Sequence, residues 1–429
     1  MMPDDCNRDR DLSRREFVGF AAAAAAAAGL ARPTGVLALA GPAASQPPTA
    51  EASKSTATAA SLISGKDARL TVHNPKSPEI ETPLELLRAH RLTPKELLFV
   101  RNNHTLAGTL SLEPWSGSDW NVELTGMVEF PRTITLERLR SLPQVECEMV
   151  VQCSGNGRAF LSRAAKAQGA QWRHGAMGNV KFRGVTLRQL IEATAPNLDP
   201  GAKFVTAEGR DDAPNPESAD FEHSLPLADA LDRSIIALEL NGEPLPALHG
   251  GPVRLVTPGY YGTMHVKWLS RLRFEAEETF NHHQIRRYRT PHKPIAPGGE
   301  FVYGRENSEP NWRMRIKAVI FAPLEGEALT AGKVTVNGVA FNDGASAIES
   351  VLISTDGGKN WQTAPVDAAG GPYAWHHWQT EIDLAAGKHE IIARAVDALG
   401  RSQPLDAAVQ WNPAGYGYSA ADRVAVEVS

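Results

Sequence analysis

Cysteine is scarce in this chain. Three thiols in 429 residues, Cys6, Cys147 and Cys153, cannot build a disulfide framework, and no C-x-x-C or C-x-x-C-H is present, which excludes zinc ribbons and covalently attached haem. No basic stripe interleaved with aromatics appears and the net charge is −5, so nucleic acid is not an expected partner. No internal repeat stands out. The one Ala-rich run, after Phe17, is broken by Gly29, Arg32 and Pro33, well short of the ~20 apolar residues of a spanning helix. What remains is a globular balance, 42% hydrophobic and 22% charged, in a chain long enough for two folded domains.

The N-terminus reads as a targeting segment. Ser13-Arg14-Arg15-x-Phe17 ahead of the Ala-rich run resembles a twin-arginine export signal, and Ala38-Leu39-Ala40 before Gly41 suits cleavage after a small residue. Residues 1–40 are therefore expected to be a signal peptide, with the periplasm as destination and no membrane anchor after processing. Cys6 would leave with it. Residues 41–67, rich in Pro, Ser, Thr and Ala and without aromatics, are expected to be a disordered linker.

From 68 to 305 short apolar strands mix with short helices. TPLELLRAH and TLRQLIEAT have helical spacing, SLPLADALD looks capped by Ser224, and PVRLVTP and VKWLSRLRF read as strands. From 306 to 429 the texture becomes short strands at regular spacing, such as KVTVNGVAF, IESVLISTDG and HEIIARAVDA, with turn signals at NDG (342–344) and TDGG (355–358). The expected fold class is α+β: a mixed α/β catalytic domain followed by an immunoglobulin-like β-sandwich.

Cys153 lies in VVQCSGNGR (150–158), an apolar run followed by a Gly-rich turn. Three roles are open to it: buried hydrophobe, nucleophile, or thiolate ligand to a soft metal. Arg158 would favour the thiolate that the last two require, and no recognisable Cys-His-Asn order supports the nucleophile. Cys147 reads as a small buried hydrophobe. The pairs His282-His283 and His376-His377 read as solvated or interface histidines, and Trp361, Trp375 and Trp378 as sandwich core or dimer contact.

VQCSGNGR is similar to the C-A-G-N-R-R segment of the sulfite oxidase family, whose cysteine binds molybdenum in molybdopterin. Three further segments agree in order with that family: LFVRNNH (98–104), WRHGAMGNVKFRGVTLRQLIE (172–192) and LNGEPLPALHGGPVRLVTPGYYGTMHVKWLSRL (240–272). STDGGKNW and AVQWNP fit its dimerisation domain, so the likeness runs from about 80 to 415.

The resemblance implies a molybdopterin-binding domain at 68–305, a dimerisation domain at 306–429 and a homodimer. It implies a molybdenum-molybdopterin cofactor ligated by Cys153 and contacted by Asn102, Asn103, His104, Asp211, His249, Arg254, His265, Val266 and Lys267. Arg101, Arg158, Trp172 and Tyr288 fall on the substrate side. Sulfite or a related small anion would be oxidised, sulfite to sulfate, and electrons would pass to an external acceptor, a cytochrome c, with no haem in this chain. Three places depart from the family, the first being the arginine pair of C-A-G-N-R-R, reduced here to Gly157-Arg158. Asn103 stands at its usual histidine unless the turn shifts to His104, and Ala414 stands where animal-type members present an arginine. A sulfane-sulfur dehydrogenase or another oxyanion oxidoreductase of the family is the alternative, and a non-catalytic exported binding protein the alternative of another class.

Overall fold

Between Val145 and Gln152 the sequence alternates and then runs Met149-Val150-Val151 before Gln152, and it forms a strand whose last four residues are buried. In this computed structural model, which describes residues 58–429 apart from 118, 212, 214–219 and 369, that strand pairs antiparallel with Met177–Thr186. Met177–Thr186 pairs in turn with Ile235–Leu240, so the strand leading to Cys153 belongs to an interior five-stranded sheet. The expected signal peptide with Cys6, and residues 41–57 of the expected linker, lie outside the described residues.

A second five-stranded sheet runs Arg132–Thr135, Asn121–Gly126, Leu269–Glu275, Phe204–Gly209, Glu222–Pro226. Its one parallel pair joins Asn121–Gly126 to Leu269–Glu275. Leu124, Leu272 and Phe274 from this sheet share a core with Leu187 and Leu190 of the helix Leu187–Thr194. That helix begins, as its spacing predicts, with a reciprocal cap between Thr186 and Gln189.

Two local expectations are corrected. TPLELLRAH yields a single helical turn, Leu84–Leu87. Ser224 is not a cap: it lies in the Glu222–Pro226 strand opposite Thr206, and the helix Leu227–Arg233 starts after Pro226 without a side-chain cap. The Ser224 hydroxyl instead accepts from the Thr279 amide at 2.8 Å. Ladder pairing holds the residue in the sheet, so its hydroxyl serves a crossing loop.

The C-terminal half is a sandwich. A three-stranded sheet (Lys317–Ala322, Gly332–Phe341, His376–Leu384) faces a five-stranded one that includes Ile348–Ser354, Gly387–Asp397 and Asp422–Val428. Val336, Ile353, Trp378 and Ile391 fill the space between. TDGG closes a hairpin between Ile348–Ser354 and Gln362–Pro365. NDG carries the chain from one sheet to the other, with Asn342 buried and donating to Ser346 O at 2.8 Å.

Trp375 and Trp378 do not form an exposed patch. Both are buried within the chain, Trp375 donating through Nε1 to Arg91 O at 3.0 Å, and Trp361 lies half-buried beneath Arg394. His282 and His283 open a helical turn, His282–Ile285, and His376 and His377 are half-buried on a strand.

The stretch 58–67 is ordered, against expectation. Thr58 and Ser61 cap a helical turn, Ala59–Leu62, and Ala59, Ile63 and Leu70 pack with Ile80, Leu97, Val100 and Leu248. These few apolar residues are too sparse to fold by themselves, but they complete a core supplied by distant segments. Among the described residues no helix is long and apolar enough to cross a membrane. Because Trp378 lies inside the sandwich, Trp378→Ala should cost about 3–5 kcal/mol in denaturant unfolding, as removal of a buried indole does, and leave the mass of the assembly by light scattering unchanged.

Candidate active site

Cys153 stands where the Val145–Gln152 strand ends. Its amide donates to Ala176 O at 2.9 Å, and the chain then turns through Ser154–Gly157 into the helical turn Arg158–Leu161. Gly157 makes that turn possible. Its φ is 92°, and a Cβ there would sit 2.1 Å from Tyr418 Cδ1. The approach is close because the C-terminal segment laces onto the loop: the Gly417 amide donates to Ser154 O at 2.9 Å.

The thiol lines a cleft. Eleven of the residues proposed from sequence line it: Arg101, Asn102, Asn103, His104, Cys153, Asp211, His249, Arg254, His265, Lys267 and Tyr288. Val266, Trp172 and Arg158 do not. Val266 and Trp172 are buried in hydrophobic cores on either side. Trp172 packs with Phe99 and Val180 and meets the His73 ring edge-on at 4.9 Å. The Arg158 guanidinium is committed to the backbone, Nε to Ala414 O at 2.8 Å and Nη1 to Ala170 O at 2.7 Å, so it pins the C-terminal segment beneath the cysteine loop. Its charge reaches the thiol only through space. Burial pushes the Cys153 thiol up, and Arg158 and Arg101 pull it part of the way back.

At the mouth side, Asn103 Oδ1 accepts from Arg101 Nη2 and from Tyr288 Oη, each at 2.8 Å. One amide oxygen thereby locks both side chains. Burial opposes the Arg101 charge, but Tyr288, Glu79 and Cys153 hold its pKa above the ordinary value. Tyr288 is built at φ 52°, a left-handed conformation rare for a bulky residue. His104 lies one position further out, beside the rings of His283 and Phe221.

At the inner end the cleft gathers cations. Arg254 donates to His249 O at 2.7 Å and His265 O at 2.9 Å, and burial brings its pKa down to about 9. Lys267 donates to Asn102 Oδ1 at 2.6 Å and Leu248 O at 2.9 Å; burial, then Arg254 and Lys66, hold it well below its ordinary value. The Asp211 carboxylate acts on Lys267 in the opposite sense. His265 faces Thr257 O through Nε2 at 3.0 Å, and since a carbonyl only accepts, Nδ1 is left as an acceptor. Arg254 Nε, His265 Nδ1, Asn102 Nδ2 and His104 Nδ1 are buried with no partner among the described residues. Such a wall suits an anion rich in hydrogen-bonding atoms. Among the described residues no three His, Cys, Asp or Glu gather closely enough to hold a metal ion.

Residues 110–283 match the oxidoreductase molybdopterin binding domain, and 308–429 match the Mo-co oxidoreductase dimerisation domain. Chicken (Gallus gallus) sulfite oxidase is 32% identical over 357 residues, covering 81% of this chain and 75% of that protein. The chain belongs to the sulfite oxidase family. Human mitochondrial sulfite oxidase is 32% identical over 84% of this chain, which spans 66% of the human protein's length. Among solved structures, the sulfane dehydrogenase SoxCD from Paracoccus pantotrophus superimposes with a TM-score of 0.69 at 25% identity, covering 90% of this chain and 96% of that one.

The donor set fits the family's cofactor, an anionic pterin that brings its own metal ligands. Sequence reasoning missed Phe221, Thr263 and Trp268 in the cleft wall and Lys66 behind it. Phe221 carries no motif signal, whereas Thr263 and Trp268 sit inside a quoted segment whose charged members drew notice first. Gly157→Ala should combine overlap with Tyr418, about 1–3 kcal/mol, and roughly 1–2 kcal/mol for the left-handed backbone. A lowered melting temperature with reduced molybdenum per chain is the expected result.

Proposed function

We propose that this chain is an exported molybdenum oxidoreductase that oxidises sulfite to sulfate in the periplasm and passes the electrons to an external acceptor, a cytochrome c. The observation that carries this is the meeting of one thiol with Arg254, Lys267 and several buried polar atoms that lack partners among the described residues, in a single cleft. Cys153 is the proposed metal ligand. Arg254, Lys267, His249, His265, Asn102 and Asp211 would hold the pterin and its phosphate. When bound, the molybdenum group supplies the two-electron oxidation itself.

The remaining chemistry falls to the chain. Arg101 uses Nε toward Glu79 at 3.2 Å, Nη1 toward Asn102 O and Nη2 toward Asn103, which leaves two of its five N–H for an anion. A planar guanidinium locked in this way draws a sulfur oxyanion to the mouth and holds it against diffusion. Tyr288 gives its hydroxyl proton to Asn103, so its oxygen is left to accept from a substrate hydroxyl or water. The apolar flanks Phe99, Phe182 and Phe221 limit water around the thiol. The dimerisation-domain match supports a homodimer, which a monomer mass for the processed chain in solution contradicts.

A second reading, oxidation of a sulfane-type sulfur, is favoured by one feature. Ala414 presents no guanidinium and Arg158 is turned to the backbone, so Arg101 supplies the positive charge nearest the substrate side. The likeness to SoxCD supports the same alternative.

Chain co-expressed with cofactor synthesis should carry about one molybdenum and one pterin. Absence of both would favour a non-catalytic binding protein. Cys153→Ser should keep the fold and lose turnover, because serine is a hard, weakly acidic donor in place of a soft thiolate. Arg101→Gln should raise the sulfite KM by orders of magnitude, about 2–5 kcal/mol for one guanidinium at a partly desolvated anion, with molybdenum unchanged. An unmoved sulfite KM beside a large loss on a sulfane-sulfur substrate would transfer the assignment to the second reading.

A further inference from the structure

Lys66 is a buried cation that no motif singles out. It follows the helical turn Ala59–Leu62, in the segment Thr58–Leu70 that packs over the residues leading to Arg101. Its ammonium lies 2.6 Å from Lys95 O, is hydrogen-bonded to Leu98 O, and stands 3.4 Å from His249 Nε2. Burial lowers its pKa to about 7, the Glu96 charge acting in the opposite sense.

Donor counting decides what the imidazole must be. Below its pKa of about 7 Lys66 is an ammonium, which has three donors and no acceptor, and two of them are taken by carbonyls. The third points at His249, where only an unprotonated nitrogen can receive it. The Lys95 carbonyl also lies near this ring and could accept from an Nε2–H. That carbonyl already accepts from Lys66, however, and a proton on Nε2 would face the ammonium. The doubly protonated ring is disfavoured as well, because burial, then Lys66, Lys267 and Arg254, hold His249 well below its ordinary pKa. The ring proton therefore sits on Nδ1, on an imidazole that lines the cleft.

We propose that Lys66 is a positioning residue that fixes His249 in its Nδ1–H form, making that ring a hydrogen-bond donor to an anionic oxygen of the bound cofactor, and that the Thr58–Leu70 segment is thereby part of the cofactor site. The inference rests on the reading of the cleft as the molybdopterin site. Lys66 also links two of its walls, since Leu98 leads into Arg101 and Asn102 while His249 belongs to the turn Ala247–His249.

The test uses the full chain in two preparations. Cofactor-free protein, made in cells lacking molybdopterin synthesis and labelled with ¹⁵N-histidine, reports the His249 tautomer, its signal assigned by loss in His249→Gln. Measured below pH 7, where Lys66 is charged, wild type should show a protonated Nδ1 and a bare Nε2, Lys66→Arg should keep this pattern, and Lys66→Met should shift the proton toward Nε2. Chain made with cofactor synthesis should lose about tenfold or more of its bound pterin and phosphate in Lys66→Met, as substitution behind a ligand shell does, and keep most of it in Lys66→Arg. A wild-type His249 protonated at Nε2 overturns the inference, whether or not Lys66→Met folds. So does a Lys66→Met chain with wild-type tautomer or wild-type pterin content. Wild-type chain that takes up no pterin sinks the cofactor reading instead, and the tautomer measured without cofactor still decides the role of Lys66.

Discussion

Drawing two cations together away from water costs several kcal/mol, and the cleft does so with Arg254 and Lys267, the Asp211 carboxylate offsetting part of the cost at Lys267. Backbone carbonyls soften the cost but do not remove it: Arg254 leans on the carbonyls of His249 and His265, Lys267 on that of Leu248. A wall of this kind is held together by the surrounding fold and is relieved by an anion. The arrangement of the neighbouring elements follows from that need. Two short 3-10 turns, Ala247–His249 and Gly262–Met264, and the left-handed Trp268 aim carbonyls and charges inward in place of regular strand.

The C-terminal sandwich takes part in this site from behind. Arg158, Tyr416, Gly417 and Tyr418 form a seam under the cysteine loop, with the Arg158 guanidinium 5.7 Å from the Tyr416 ring and Tyr416 5.0 Å from Tyr288. A second seam pairs His174 with Asp422 at 2.9 Å, both buried. Burial alone would raise the Asp422 pKa, but His174 and two backbone amides outweigh it and hold the carboxylate below its ordinary value. Its contribution is thus present above the unfolded carboxylate range and is lost as pH falls through the depressed folded value. The catalytic loop and the sandwich are therefore mechanically one piece.

Much of the site was legible because its residues lie in short contiguous runs. Val-Gln-Cys-Ser-Gly, Arg-Asn-Asn-His and His-Val-Lys each bring several groups to the cleft within a few positions, and a turn or strand end delivers them together. Direction was not legible. Arg158 is five residues from Cys153 and was expected on the substrate side, yet the carbonyls of Ala170 and Ala414 draw its guanidinium to the other face of the loop. Trp172 had the size to wall a pocket, but a neighbouring core took it. Lys66 was hidden for the opposite reason, since its surroundings read as linker and its partners lie 29, 32 and 183 residues away.

By itself the sequence determined the order of the chain: a mixed α/β half before a sandwich of short strands, one thiol on a Gly-rich turn, and the basic and amide residues to surround it. Alternation, turn chemistry and motif spacing are local, so they survive without coordinates. Tertiary structure alone decided which cations meet, which arginine faces the cleft and which the backbone, and that the Thr58–Leu70 segment closes on His249. Those outcomes depend on burial and on competition among carbonyls, amides and rings, many of them from distant segments, and a sequence pattern does not say which partner wins.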